Sequence, residues 1–214
     1  TELQVPLWVE HAYRISKASH DLRGKSDAQD AVRIADYCLR YKDRFQLFSP
    51  VDEEVEELQE LNAVRDDLMK RKNQLMNQLR EAKEFAPKRY KILKKHLGPM
   101  IKIAERELKK VNEEIKALIE QNEELNKNVK LICSVPGVGL QNAIAIVVVT
   151  DNFARFKSAK HLACYAGVVP FPNQSGRLIK RDRVSRHSNR NLKRLLHMAA
   201  LAMIRCDDEI KAYF

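Results

Sequence analysis

Three groups of residues have the types and spacing for chemistry on phosphate esters. Ser175 stands between Gln174 and Gly176, and Arg177, Lys180 and Arg181 follow closely. A serine beside glycine is accessible, and neighbouring cations neutralise the charge that develops when an oxygen attacks a phosphodiester. Nothing adjacent is an evident base, which leaves Asp182, His187 or a metal-bound group to take the hydroxyl proton. The plainer reading, an ordinary polar loop serine, is not separated from this one by spacing alone. Asp27 and Asp30, three apart, fall on one side of a first helical turn. Two carboxylates so placed can share Mg²⁺, a hard cation that prefers oxygen; they serve equally as a helix cap and a dipole-compensating acid. The third group is Val135-Pro136-Gly137-Val138-Gly139, followed by Leu140-Gln141-Asn142-Ala143. Two glycines permit a tight turn, and the helix that follows opens with unpaired N–H donors that suit phosphate oxygens. A structural glycine turn between two helices is the alternative.

These groups need elements to hold them. Ser26 or Asp27 is a good N-cap for a helix running to about Leu39. Residues 51–84 contain neither Gly nor Pro and read as helix, and Pro87 suits the first position of the next. Gly98-Pro99 predicts a second break. From Ile101 through Ala104, Leu108, Val111, Ile115, Leu118, Asn122, Leu125 and Val129 to Ile132, core positions recur in steps of three and four. That is a coiled-coil pattern, with Asn122 as a register-fixing polar residue. Two such helices, packing only on each other, bury little, so self-association through them is expected over a hairpin within a monomer. Further on, Thr150 or Asp151 ends a helix, Phe153 and Phe156 read as core anchors, and Ser158 caps a short helix ending at Gly167. Pro170, Pro172 and Asn173 predict an irregular loop with Gln174-Ser175-Gly176 at its tip. Residues 178–185 read as a strand or short hairpin. Residues 191–204 read as a helix with Leu192, Leu195, Leu196, Ala199, Ala200 and Met203 on its apolar side and Arg190, Lys193 and Arg194 opposite. His197 reads as a core or edge histidine. Near the start, residues 4–10 suggest a strand of a larger sheet; with Thr at position 1, this predicts a piece of a longer chain.

Composition narrows the partners. Thirty-nine Lys and Arg against twenty-nine Asp and Glu leave a formal charge of +10, and residues 177–194 hold eight Lys or Arg and one acid, Asp182. An anionic partner is expected, nucleic acid before an acidic membrane surface. Cys38, Cys133, Cys164 and Cys206 are scattered and read as free thiols of a reducing compartment. No apolar run approaches the roughly 18 residues of a membrane span, and no signal peptide is visible, so a cytoplasmic, nucleoid-associated protein is expected.

The order of these motifs, Lys25-Ser26-Asp27 with Asp30-Ala31, a long coiled coil, Val135-Pro136-Gly137-Val138-Gly139, Tyr165-Ala166-Gly167-Val168-Val169-Pro170, Gln174-Ser175-Gly176 and a basic helix, resembles the bacterial insertion-sequence transposases of the IS-one-ten type, the DEDD or bridge-RNA-guided recombinases. The match covers nearly the whole chain. It implies a mainly α fold in three parts. Residues 1–48 would be the remnant of an α/β RuvC-like metal domain, 49–130 a coiled-coil oligomerisation region, and 131–214 a transposase domain with a helix-hairpin-helix motif and a serine loop. The resemblance makes Asp27 and Asp30 the last two acids of a D-E-D-D set around Mg²⁺, the first Asp and the Glu having no counterpart here. It makes Ser175 the residue that becomes joined to DNA. The glycine turn and the basic run, read from the residues themselves, place DNA contacts at Pro136, Gly137, Val138, Gly139, Arg177, Lys180, Arg181, Arg183, Arg190, Lys193 and Arg194. The resemblance implies DNA and a structured guide RNA as partners, a homodimer or homotetramer through the coiled coil, and active sites combined from two subunits. One departure is Ser188-Asn189 where the family commonly has Gly-Asn. With half the acidic set absent, these 214 residues are expected not to recombine DNA alone. A reading from another class is a non-catalytic coiled-coil protein that bridges DNA; a third is a junction nuclease without serine chemistry.

Overall fold

The computed structural model describes residues 6–18, 26–45, 47–175, 178–185 and 187–213, with 173–175 and 178–180 described as backbone. The chain divides into two compact units, Thr1–Pro50 and Val51–Phe214. It is mainly helical, as the periodicity predicts.

In the first unit, α1 (Ala12–Ala18) and α2 (Asp27–Arg40) are followed by a single 3-10 turn, Lys42–Arg44. Ser26 caps α2, its side chain accepting the Gln29 N–H at 3.3 Å. Tyr37 is buried, with Trp8 at 5.5 Å and Tyr41 at 4.7 Å between ring centroids. Its hydroxyl donates to Glu10 at 3.2 Å, and burial first, then this carboxylate, pushes the phenol pKa up. Residues 6–10 form no strand, contrary to the reading of 4–10; Gln4 and Val5 lie outside the described residues. Half-buried Trp8 packs instead on Tyr37 and, at 5.8 Å, on Phe45.

In the second unit, α3 (Glu53–Phe85) and α4 (Pro87–Gln121) form an antiparallel hairpin turned at the single residue Ala86. Cross-links fix its register: Arg65 Nε donates to Asn112 at 3.1 Å, and Lys72 pairs with Glu105 at 3.9 Å. Gly98-Pro99 does not break α4. An interior proline costs about 3 kcal/mol; Gly98 offers its ring no Cβ to meet, and packing along α3 holds the helix on both sides. The break falls at Asn122 instead, and this overturns its reading as a coiled-coil core residue. Its extended backbone (φ −102°, ψ 114°) ends α4, and its side chain accepts the Leu125 N–H at 2.9 Å to cap α5 (Glu123–Cys133).

Beyond Asn122 the apolar pattern continues in α5. Leu58 of α3, Ile115 and Leu118 of α4 and Leu125 and Val129 of α5 meet Ala143, Ile144 and Val147 of α6 (Leu140–Thr150) in one buried cluster. Each large side chain buried there contributes roughly 1.5–3 kcal/mol. The long helices therefore do not pack only on each other; their base joins the C-terminal helices. Beyond lie α7 (Ala159–Ala166), an antiparallel pair β1 (Pro170–Ser175) and β2 (Leu178–Val184), α8 (Arg190–Cys206) and α9 (Asp208–Tyr213). The irregular loop expected at 170–175 is thus a strand. Pro172 marks the irregularity: pairing passes from Phe171↔Arg183 to Asn173↔Lys180, so Arg181 and Asp182 together oppose a residue with no N–H to give.

Candidate nucleic-acid interface

Six residues, 134–139, join α5 to α6. Gly137 has φ +78°, a conformation few side chains tolerate. A Cβ there would lie 2.8 Å from the Ala199 carbonyl oxygen, 2.8 Å from the Met203 nitrogen and 2.9 Å from Met203 Cγ. The close approach that this glycine permits is therefore to α8. Gly139 differs: its backbone is extended (φ −90°, ψ 171°), it is exposed, and a Cβ would meet nothing within 4 Å. It caps α6 without a side chain, its carbonyl accepting the Asn142 and Ala143 N–H groups. The Leu140 and Gln141 N–H groups begin the helix with no intrahelical acceptor. Pro136 is exposed and Val138 half-buried.

The start of α8 rests on α7. Gly167 ends α7 at φ +71°, and a Cβ would stand 2.4 Å from Ser188 Cβ. The Asn189 N–H donates to the Tyr165 carbonyl at 3.0 Å, and the Asn189 side chain caps α8 by accepting the Leu192 N–H at 3.0 Å. Two glycines thus seat one helix, Gly167 at its entry and Gly137 at its middle. Of the basic residues on α8, Arg190 and Arg194 are exposed and Lys193 half-buried. Arg194 also lines a shallow cleft of about 480 Å³ with Asp66, Lys70 and Asn73 of α3. Leu192 and Ala199 are buried, but Ala200 and His197 are exposed, so the apolar stripe is narrower than its spacing predicts.

Ser175 is the last residue of β1 and pairs with Leu178, leaving two residues between the strands. Those two, Gly176 and Arg177, lie outside the described residues, as do the side chains of Gln174, Ser175 and Lys180. Arg181, Asp182 and Arg183 are exposed along β2, and His187 is exposed beyond it.

Sequence reasoning missed the turn after α6. Asp151, Asn152 and Phe153 have φ of 51°, 48° and 72°, three left-handed residues in succession without a glycine. Thr150, buried, holds the turn: its hydroxyl donates to the Ile146 carbonyl at 2.7 Å and accepts the Phe153 N–H at 3.1 Å. Asn128 of α5 donates to the Asn152 side chain at 2.8 Å. Phe153 is 44% exposed, so it is not the core anchor it was read as; the left-handed turn carries it outward, while Phe156 packs on Tyr165 at 5.4 Å. Asp-Asn was the one available signal, since these residues tolerate left-handed backbone best.

Asp27 and Asp30 do share the first turn of α2. Asp27 is exposed, and Asp30 is ion-paired with Arg33 at 2.7 Å. Their oxygens suit a hard cation, but among the described residues no group of three or more His, Cys, Asp or Glu is placed to hold a metal. The two carboxylates do not make a complete Mg²⁺ site by themselves. All four cysteines are free, and among the described residues no helix is long and apolar enough to cross a membrane.

Comparison with known proteins bears on this arrangement. Residues 129–214 match the profile of the "Transposase IS116/IS110/IS902 family", and residues 2–83 match a second transposase profile, of the DEDD type of IS110. The chain belongs to the IS110-type transposases. It is 30% identical over 198 residues to a pilin gene-inverting protein of Moraxella lacunata, covering 92% of this chain and 57% of that one. It is 26% identical over 208 residues to the transposase of insertion sequence element IS1111A of Coxiella burnetii, covering 85% of this chain and 55% of that one. An insertion element IS110 protein of Streptomyces coelicolor is 34% identical over 84 residues, 39% of this chain and 21% of its own length. The chain spans little more than half the length of the relatives it matches along most of its own. In this IS110-type chain the two profiles fall on either side of the α3–α4 hairpin's middle, one on the α2 acids and the other on the glycine turns, β1–β2 and α8.

Proposed function

We propose that this chain handles DNA in a transposition or inversion reaction, with Ser175 as the nucleophile. The supporting observation is the β1–β2 pair: a two-residue connection follows directly after Ser175, on a strand whose partner exposes Arg181 and Arg183. A serine so carried would meet a phosphodiester near the exposed Arg181 and Arg183, whose charge suits a phosphate. The step balances simply. Oγ forms a bond to phosphorus as its proton leaves, one P–O ester bond of the strand breaks, and the departing oxygen takes up a proton as a free hydroxyl. Reversal with a second strand's hydroxyl completes the exchange.

In this reading the chain grips DNA through its backbone. The Leu140 and Gln141 N–H groups receive a phosphate at the open side of Gly139, a helix-hairpin-helix use of Pro136, Gly137, Val138 and Gly139 in which Gly137 braces the turn. Arg190, Lys193 and Arg194, with Arg177, Lys180, Arg181 and Arg183, add phosphate contacts that carry no sequence information. Asp27 and Asp30 supply two carboxylates to a metal set completed by residues beyond these 214, Asp30 exchanging its partner Arg33 for the ion. Bound there, Mg²⁺ would stabilise charge on the scissile phosphate. Sequence choice falls to a structured guide RNA. Ile92, Met100 and Ile103, exposed along α4, favour a homodimer or homotetramer through the α3–α4 hairpin.

The test is a covalent protein–DNA adduct on insertion-element ends, with guide RNA and Mg²⁺, in the protein at the length of its relatives. Ser175→Ala is expected to abolish the adduct and leave DNA binding within about twofold. The 214 residues alone are expected to bind DNA and form no recombinant. A second reading, a non-catalytic DNA-bridging protein, draws on the open Gly139 turn and the exposed Arg190 and Arg194, which suit phosphates without any chemistry. It takes over if wild type never forms the adduct. Cleavage that survives Ser175→Ala would instead mean nuclease chemistry without the serine.

A further inference from the structure

A second feature of the C-terminal unit lies outside the glycine turns and the serine. Arg155 is exposed, and its guanidinium carbon sits 5.8 Å from the Tyr165 ring centroid and 6.0 Å from that of Phe156. The two rings are themselves 5.4 Å apart at 59°. Tyr165 keeps 37% of its surface open to water, while Phe156 is half-buried. Among the described residues no carboxylate is paired with Arg155. A planar cation with no carboxylate partner beside a partly exposed ring is what an aromatic heterocycle stacks on.

The cluster is held in place from three sides. The left-handed turn of Asp151, Asn152 and Phe153 reverses the chain, and the Arg155 N–H donates to the Thr150 carbonyl at 2.9 Å, which returns Arg155 to the end of α6. Ser158 caps α7 through the His161 N–H. The Tyr165 carbonyl is held by the Asn189 N–H, one residue before the exposed Arg190. The backbone that carries both side chains is therefore fixed before a ligand arrives, and Arg190 follows in sequence directly after the residue that holds the Tyr165 carbonyl.

We propose that Arg155, Phe156 and Tyr165 form a stacking site for one unpaired nucleobase, which makes this face a reader of single-stranded rather than duplex nucleic acid. The site rests on the nucleic-acid reading above and adds a ligand class to it. Duplex bases are stacked on each other and offer no free face, so only a single-stranded, looped or flipped base fits.

The experiment uses the 214-residue chain with short single-stranded DNA and RNA oligonucleotides carrying 2-aminopurine, and a duplex of the same sequence. Binding of the single strands is expected to quench 2-aminopurine. Tyr165→Leu should remove the quench and weaken single-strand binding about tenfold, with duplex affinity within twofold of wild type. Tyr165→Phe should keep the quench, since the ring survives. Arg155→Lys should reduce it, since charge is retained and the plane is lost. The DNA and RNA arms show which strand supplies the base. Equal quenching in wild type and Tyr165→Leu, or equal loss of duplex affinity, overturns the stacking site while leaving DNA binding intact. If neither single strand nor duplex binds at all, the nucleic-acid reading itself fails and the stacking site falls with it.

Discussion

Gly137 and Gly139 stand two residues apart in the same turn and face opposite surroundings. A Cβ on Gly137 would strike the backbone of α8 at 2.8 Å; a Cβ on Gly139 would meet nothing. One is a packing glycine with a left-handed backbone, the other an open glycine with an ordinary one. The pair teaches that close backbone approach is two requirements in this turn. One side must admit the chain's own helix, and only the other is available to a ligand. A glycine motif read as a single phosphate-binding device merges the two.

The largest way to sharpen this contrast is Gly137→Val. A β-branched residue at φ +78° costs about 1–3 kcal/mol in backbone strain, and overpacking against α8 costs about as much again. A destabilisation of roughly 3 kcal/mol or more is expected, read as a lower urea midpoint with little change in slope. Any loss of DNA binding should follow from unfolding and recover under conditions that refold the variant. A stable Gly137→Val chain that cannot bind DNA would return this residue to the ligand side.

Gly167 tests whether the second seat works the same way, with a smaller effect. Gly167→Ala places a methyl group 2.4 Å from Ser188 Cβ and 2.6 Å from its hydroxyl. Ser188→Gly removes both atoms, and the next neighbour, the Ser185 carbonyl oxygen, stands at 3.6 Å, an ordinary contact. Gly167→Ala alone is expected to cost about 2–3 kcal/mol. In the Ser188→Gly background the cost should fall to the backbone strain, about 1 kcal/mol. Thermal or urea unfolding of the four proteins in a double-mutant cycle reads the difference. Additive effects would mean that Gly167 and Ser188 do not bear on each other. A serine fits at position 188 of this chain as long as position 167 has no side chain.

How far these relations could be read from the sequence follows from their range. Local signals were legible. Ser26 and Ser158 cap the helices they precede, Gly167 ends α7, and Pro87 opens α4, because each needs only neighbours within four residues. The C-terminal hairpin was half legible: Ser175 was read near a tip, but Pro170 and Pro172 hid the strand, since a two-stranded pair with an irregular partner accommodates them. What failed was tertiary. Heptad spacing runs unbroken through Asn122 and gives no sign of the break there, beyond which Leu125 and Val129 join a cluster with α6. Asp27 and Asp30 were correctly placed on one turn, yet their spacing carries no sign of Arg33 claiming Asp30. The partner of Gly137 lies some sixty residues away, and no pattern in the turn names it.

Gly139→Ala is the smallest perturbation of the fold and bears most directly on function. At φ −90° and ψ 171° alanine is unstrained, and no atom lies within 4 Å of the added methyl group. Alanine is a poorer N-cap than glycine, so stability should drop by less than about 1 kcal/mol. If a phosphate docks on the Leu140 and Gln141 N–H groups, the methyl group stands in its path. Affinity should then fall about tenfold, equally for unrelated DNA sequences, because the contact is to the backbone. A titration over 50–200 mM salt should show a shallower slope of log affinity against log salt, by about one phosphate contact. A variant that melts like wild type and binds DNA with unchanged salt dependence would show that the open side of this turn faces solvent in the complex. The basic face of α8 and the β1–β2 arm would then hold the strand without it.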